Sequence, residues 1–286
     1  VSLLDSVKQL VPEFKHIERT VVDQNGKTVG WHIHAFSAAG KCIAGGTAQN
    51  EENALRKCIA EMIERALIGK INSTPTKLWV RLDTHPTSCG FACGFDREKS
   101  RLRSLAEALE RWHWSKWIDE NFEISTASVT PNGLSPISQV LSADFDSLQF
   151  YSRNFIFQNM RLKFGAVIGV KGPGVFAGSR VCSESEDLWE HAIVESWRGL
   201  QNHITSDRTR FAELRNNVAF LRTEFFAKNG DCALEQIKGA TKSEWPTPKI
   251  LLQKEINAEL PGVFLWRSLA EDYLPWDQGP VARFVY

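Results

Sequence analysis

Cys58-Ile59-Ala60-Glu61-Met62-Ile63-Glu64-Arg65 and Ser104-Leu105-Ala106-Glu107-Ala108-Leu109-Glu110-Arg111 carry one pattern twice, A-E-x-x-E-R at the end of an amphipathic run. On a helix, carboxylates three positions apart share a face about one turn apart. Taken alone, either copy reads as ordinary decoration of a solvated helix face. The surroundings change that weighting, because they repeat as well. With Glu61 placed on Glu107, Asn50 falls on Asp96, and both are good helix N-caps. Ahead of the caps lie two small-residue segments, Ala44-Gly45-Gly46-Thr47-Ala48 and Gly90-Phe91-Ala92-Cys93-Gly94. A fainter third copy runs from Ala177-Gly178-Ser179-Arg180 into a helical stretch over 184–202. There Glu195 stands in place of Glu61, and Arg198 occupies the position of the second carboxylate. Three unequal copies with different spacers do not describe a solenoid. They describe strand–loop–helix units duplicated around a shared site, or three such units with no site between them.

Working outward, Asp23-Gln24-Asn25-Gly26-Lys27 predicts a hairpin, since Asn-Gly suits a type I′ turn. The next strand, 29–36, alternates Trp31, Ile33 and Ala35 against His32, His34 and Phe36, with the histidines on the outward face. A strand over 41–44 and a helix over 51–68 follow. A strand is expected at 77–83, with Leu78, Val80 and Leu82 inward, then a short strand near 91–95 and a helix over 97–118. Residues 125–145 read as irregular. A second hairpin is expected at 148–170, and Gly172-Pro173-Gly174 turns it into a strand over 175–178. Helices are expected at 184–202, 207–227 and 230–239, and strands at 249–253 and 263–267. Strand pairs followed by helices describe an α+β layered fold. No Gly-, Ser- or Pro-rich linker interrupts it, so one compact domain over 1–286, with room for two lobes, is the expectation.

Composition sets outer bounds. The chain has 286 residues, 43% hydrophobic and 24% charged, with 34 basic and 34 acidic side chains. That balance points away from a nucleic-acid partner or a membrane surface. No apolar run reaches the ~20 residues of a membrane helix. No signal peptide is read, and Val1 leaves the native start open. The six cysteines show no framework spacing and read as reduced thiols of an intracellular, cytoplasmic chain. Most of the ten tryptophans are expected in packing, above all Trp112-His113-Trp114-Ser115-Lys116-Trp117.

Several chemical motifs can be set aside. Gly172-x-Gly174 matches neither a P-loop nor a dinucleotide fingerprint. Cys89 and Cys93 lack a second ligand pair at zinc spacing. No Ser or Cys sits in a nucleophile elbow. Glu184, Glu186 and Asp187 suit a helix start. The leading constellation is Glu61, Glu64, Glu107, Glu110 and Glu195. If they converge, their mutual repulsion calls for cations, and hard cations favour oxygen ligands. Arg65 and Arg111, directly after each pair, suit a phosphate or a neighbouring glutamate.

Thr87-Ser88-Cys89-Gly90-Phe91-Ala92-Cys93-Gly94, leading into Ser104–Arg111, resembles the central signature of YcaO-domain proteins. That signature runs G-x-A-x-G, a helix start, then A-L-x-E-x-x-E-R. Ala44–Arg65 resembles the family's earlier segment and Val175–Arg198 its later one, so the likeness spans about residues 19 to 200 in order. The resemblance implies an ATP site in which helical glutamates hold Mg²⁺ against the phosphates, and ATP-dependent activation of a peptide backbone amide to an azoline or thioamide. Carried over, Glu61, Glu64, Glu107, Glu110 and Glu195 would be metal or phosphate ligands. Arg111 would support the nucleotide, and Arg19 would match an arginine of the N-terminal loop. His191 would border the nucleotide at a position where the family usually carries Arg, and Lys99 stands where a carboxylate is expected. A peptide substrate follows, and a partner protein presenting it or a homodimer would be compatible. The alternatives are a catalytically degenerate YcaO-like subunit that holds a peptide or partner enzyme, and an unrelated α+β protein with surface glutamates.

Overall fold

The structure is a computed structural model that describes residues 3–205, 218–258 and 260–284. The described residues form an α+β fold that divides into two compact units, with the boundary inside one long helix. Unit 1 comprises 1–105 and 251–269, and unit 2 comprises 106–250 and 270–286.

Unit 1 opens with helix α1 (Leu3–Leu10) and an antiparallel meander of β1 (Phe14–Gln24), β2 (Lys27–Ser37) and β3 (Cys42–Ala48). Asn25 and Gly26 take φ of 53° and 76°, as a type I′ turn requires. Helix α2 (Glu51–Asn72) packs on this sheet. Asn50 caps it by accepting the Asn53 N–H at 2.8 Å. Ile33 and Ala35 meet Ile59, Met62 and Ile63 in the core. Gly46 permits that approach, because a Cβ there would lie 2.1 Å from the Ala54 carbonyl oxygen and 2.6 Å from the Cys58 nitrogen. A second sheet has the order β4 (Phe91–Gly94), β10 (Phe264–Ala270), β9 (Ile250–Ile256).

The expected strand at 77–83 is absent. Thr76–Trp79 is a helical turn, α3, and Arg81 has φ 57°. Val80 and Leu82 are buried, yet Leu78 and Trp79 are exposed. Trp79 lies under the Lys254 ammonium at 5.0 Å, so its apolar surface serves a cation–π contact rather than the core. His32 also departs from expectation. It is buried rather than outward, bonded through Nδ1 to Thr47 Oγ1 at 2.5 Å, with Nε2 2.7 Å from His34 Nε2.

Helix α4 (Arg97–Glu120), capped by Asp96, carries the chain across the unit boundary. In unit 2 a four-stranded antiparallel sheet runs β5 (Ser125–Thr126), β6 (Ser147–Phe157), β7 (Met160–Lys171), β8 (Gly174–Ser183). The region expected to be irregular holds β5 and helix α5 (Pro136–Ser142), with Ser135 as N-cap and Pro136 at the first turn, a start signal that suits both residues. Helix α6 (Trp189–Thr205) begins later than 184, because Asp187 caps it by accepting the Trp189 N–H at 2.8 Å. Of the helix expected at 207–227, residues 207–217 lie outside the described residues, and Val218–Phe226 forms α7. Helix α8 is Gly230–Lys238. Trp112, His113, Trp114 and Trp117 are buried, with Trp114 and Trp117 stacked at 5.1 Å. No helix among the described residues is long and apolar enough to cross a membrane.

Candidate functional site

The three small-residue segments share a structural setting. β3, β4 and β8 are each the edge strand of their sheet, and an edge leaves backbone N–H groups to be satisfied. In all three cases a helical glutamate accepts one. Glu61 Oε2 accepts from Gly45 at 2.9 Å, Glu64 Oε2 from Cys93 at 2.9 Å, and Glu195 Oε2 from Ser179 at 3.5 Å. Gly178 brings β8 and α6 together as Gly46 does β3 and α2. A Cβ at Gly178 would meet the Ala192 carbonyl oxygen at 2.1 Å.

In unit 1, Glu61 also accepts from Arg65 Nη2 at 2.5 Å, while Arg65 Nη1 donates to the Ile43 carbonyl at 2.7 Å. Arg65 thus pins Glu61 to the sheet. Burial raises the Glu64 carboxyl to about 7, and the charge of Glu61 adds to the rise against the Cys93 N–H, Arg103 and Arg65. Burial likewise lifts the Cys93 thiol to about 12, helped by Glu64. A thiol so held stays protonated at neutral pH, which makes it a poor nucleophile. Arg19 is exposed on β1 and binds Glu51 at the first turn of α2 at 2.7 Å.

In unit 2, α4, α6 and β8 supply a second acidic group. Arg111 lies 3.9 Å from both Glu107 and Glu110. The buried Glu110 accepts from Ser179 Oγ at 2.8 Å, and that hydroxyl accepts from Trp114 Nε1 at 2.7 Å. Burial raises the Glu110 carboxyl; Arg111 opposes the rise and the charge of Glu195 adds to it. Glu195 goes the other way. Burial pushes it up, but His191, 3.2 Å away, together with Arg111 and Arg198 holds it well below the usual range. The pair therefore divides its roles, with Glu110 prone to keep a proton and Glu195 ionised. His191 is exposed.

The expected residues accordingly fall into two groups, Glu61 with Glu64 in unit 1 and Glu107, Glu110 and Glu195 with Arg111 and His191 in unit 2. Ser179 and Arg103 were not singled out by sequence for these roles. Ser179 sits in the third small-residue segment, which was the available signal. Among the described residues no three His, Cys, Asp or Glu side chains form a ready metal cage.

The raised Glu64 carboxyl has a measurable consequence. The folded protein binds more protons there than the unfolded chain, so the Glu64 contribution to stability is full below pH 4.5 and is lost as pH rises through about 7. In chelator, the fall in Tm across that window should be shallower for Glu64→Gln than for the unaltered protein. Parallel Tm–pH curves would remove Glu64 as the cause.

No family model matches this sequence, and no curated protein matches it. Solved structures do. The chain superposes on YcaO from Methanopyrus kandleri, bound with AMPPCP and Mg²⁺, with a TM-score of 0.53 and 12% identity, over 94% of this chain and 90% of that one. The fold is YcaO-like. A similar match joins it to the E. coli microcin synthetase McbBCD complex with pro-MccB17 bound, with a TM-score of 0.57 and 9% identity, over 88% of this chain and 86% of that one. A heterocyclase in complex with substrate and cofactor matches over 94% of this chain but 52% of its own length, with a TM-score of 0.55 and 8% identity. Within that fold the first segment ends in the two glutamates that secure β3 and β4, and the third ends in Glu195, which secures β8.

Proposed function

We infer that the protein is an ATP- and Mg²⁺-dependent enzyme that activates a peptide backbone amide for azoline or thioamide formation, with the whole chain, 1–286, acting as one YcaO-like unit. The observation that carries this reading is the pairing of carboxylates drawn out of solvent, half-buried Glu64 beside Glu61 and buried Glu110 beside half-buried Glu195, on a fold whose solved relatives include a nucleotide- and Mg²⁺-bound YcaO. Like-charged buried carboxylates disfavour ionisation unless a cation neutralises them. Their donor set is all oxygen, which suits Mg²⁺.

In this reading Glu61 and Glu64 of unit 1 and Glu107, Glu110 and Glu195 of unit 2 would hold Mg²⁺, and Arg111, His191 and Arg19 would support the nucleotide. ATP supplies a phosphoryl group that turns the amide oxygen into a leaving group. The chain's own residues position. Arg65 and Arg111 orient the carboxylates beside them, Ser179 fixes Glu110, and the edge-strand N–H groups fix Glu61, Glu64 and Glu195. Preorganised groups of this kind cost no reorganisation at the moment of reaction.

The test couples nucleotide to peptide. With Mg²⁺, the cognate peptide and any partner protein, ATP consumption should rise above a slow basal rate. The peptide should lose one water or exchange one oxygen for sulfur, read by mass spectrometry. His191→Arg should leave activity similar or higher. A second reading, a degenerate subunit that holds a peptide or partner enzyme, draws on His191, an exposed imidazole where the resemblance places a guanidinium. Peptide binding with neither ATP consumption nor a mass change would select it.

A further inference from the structure

Arg153 on β6 of unit 2 is a half-buried cation that forms no ion pair among the described residues. Its guanidinium lies 4.4 Å over the Trp245 ring and 5.6 Å from that of Phe155. Nη1 is 3.1 Å from His113 Nε2. His113 is fully buried, which drives its pKa down to about 3, and its Nδ1 donates to the Leu109 carbonyl at 2.7 Å. It is therefore a neutral acceptor toward Arg153. Among the described residues no carboxylate pairs with Arg153, and its Nε and Nη2 bond no protein group. Burial lowers the guanidinium to about 10, so it remains charged at neutral pH.

This cation opens onto a cavity of about 440 Å³ lined also by Glu123, Ser125, Ser152, Asn154, Ser243 and Trp245. The far wall is fixed. The Phe122–Lys242 bridge holds the segment carrying Trp245, the Glu123 N–H donates to the Lys242 carbonyl at 2.8 Å, and Trp245 Nε1 donates to the Glu123 carbonyl at 2.8 Å.

We propose that this cavity is a carboxylate-binding site in which the free Nε/Nη2 edge of Arg153 grips one planar monoanion. A partly dehydrated cation without an anion is unfavourable, and a ligand carboxylate offsets that. One guanidinium face lies on Trp245 and one nitrogen on His113, so the side-on edge is what remains, and that fork matches a carboxylate bidentately. The serine hydroxyls and the Asn154 amide can bond the ligand's other polar groups. Glu123 brings one negative charge to the lining, which sets the cavity against a dianion or polyphosphate. The carboxylate comes from a peptide C-terminus, an acidic peptide side chain or a small free acid. This inference does not rest on the nucleotide reading above.

The full chain, ¹⁵N-labelled, would be titrated at constant ionic strength while the Trp245 indole and Arg153 Nε–H resonances are followed. The probes are acetate, acetyl-Ala-Ala-Ala with a free C-terminus, its C-terminal amide, acetyl-Ala-Glu-Ala-amide and inorganic phosphate, with chloride as reference. Saturable shifts are expected with the carboxylates and not with the amide of the alanine peptide. The strongest binder among acetate, the free C-terminus and the glutamate peptide identifies the source. Arg153→Lys should weaken binding about tenfold by removing the fork. Glu123→Gln, at an exposed side chain, should tighten it about threefold, within the range of surface charge effects. Carboxylates acting no differently from chloride, phosphate binding more tightly, or Glu123→Gln weakening the site would each overturn the proposal.

Discussion

Gly46→Ala should destabilise the protein by about 3 kcal/mol or more, at or beyond the upper end of overpacking penalties. The added methyl would stand 2.1 Å from the Ala54 oxygen and 2.6 Å from the Cys58 nitrogen. Both are backbone atoms of α2, and a helix backbone cannot swing aside as a side-chain tip can. β3 and α2 must separate instead. That opens the packing of Ile33 and Ala35 against Ile59 and Ile63, and it draws the Gly45 N–H away from Glu61. A control lies on the same helix. A Cβ at Gly69 meets nothing within 4 Å, so Gly69→Ala should stabilise by about 0.5–1 kcal/mol through the unfolded chain and helix propensity. Urea unfolding of both variants reads the contrast. A Gly46→Ala midpoint equal to that of the unaltered protein would show that strand and helix are not clamped as described.

These clamps also explain which parts of the fold were legible. Local chemistry was. Asn25-Gly26 specifies its turn without help from the rest of the chain, and Asn50 and Asp96 announce helices through their own side chains. The repeated small-residue segments were visible too, because close approach of strand and helix demands Gly wherever it occurs. What failed depended on distant partners. Leu78, Val80 and Leu82 alternate like a strand, yet no strand forms there. The pairing of Cys93 with Leu265 joins residues too far apart for any periodicity to report. The helix at Pro136–Ser142 was read as irregular because Pro131 and Pro136 suggest breaks, whereas Pro136 sits in the first turn, where its missing N–H is harmless. At the site, the glutamates were legible from spacing, while Ser179 and Arg103 were not. The Arg153 cavity left no trace in sequence, since it is assembled from Glu123, β6 and Trp245.

Glu110→Gln should change stability and ligand binding in opposite directions, and that opposition separates a site residue from a structural one. Glu110 is buried beside Glu195, and burial together with that neighbour's charge makes its ionised form unfavourable. Glutamine has the same shape, and its Oε1 can still accept the Ser179 hydroxyl that lies 2.8 Å from the carboxylate. In chelator, therefore, Glu110→Gln should unfold at the same temperature or higher. With Mg²⁺ and ATP the order should reverse. Under the proposed function the cation requires the Glu110 charge, so nucleotide affinity should fall about tenfold or more, which is about 1.4 kcal/mol or more. The nucleotide-induced rise in Tm should shrink accordingly. Calorimetric titration with Mg²⁺ and ATP, beside thermal unfolding in chelator, measures both halves. A residue that only braced α4 against β8 would lose stability in chelator and leave nucleotide affinity alone. That outcome would remove Glu110 from the metal set and leave the edge strand as its whole purpose.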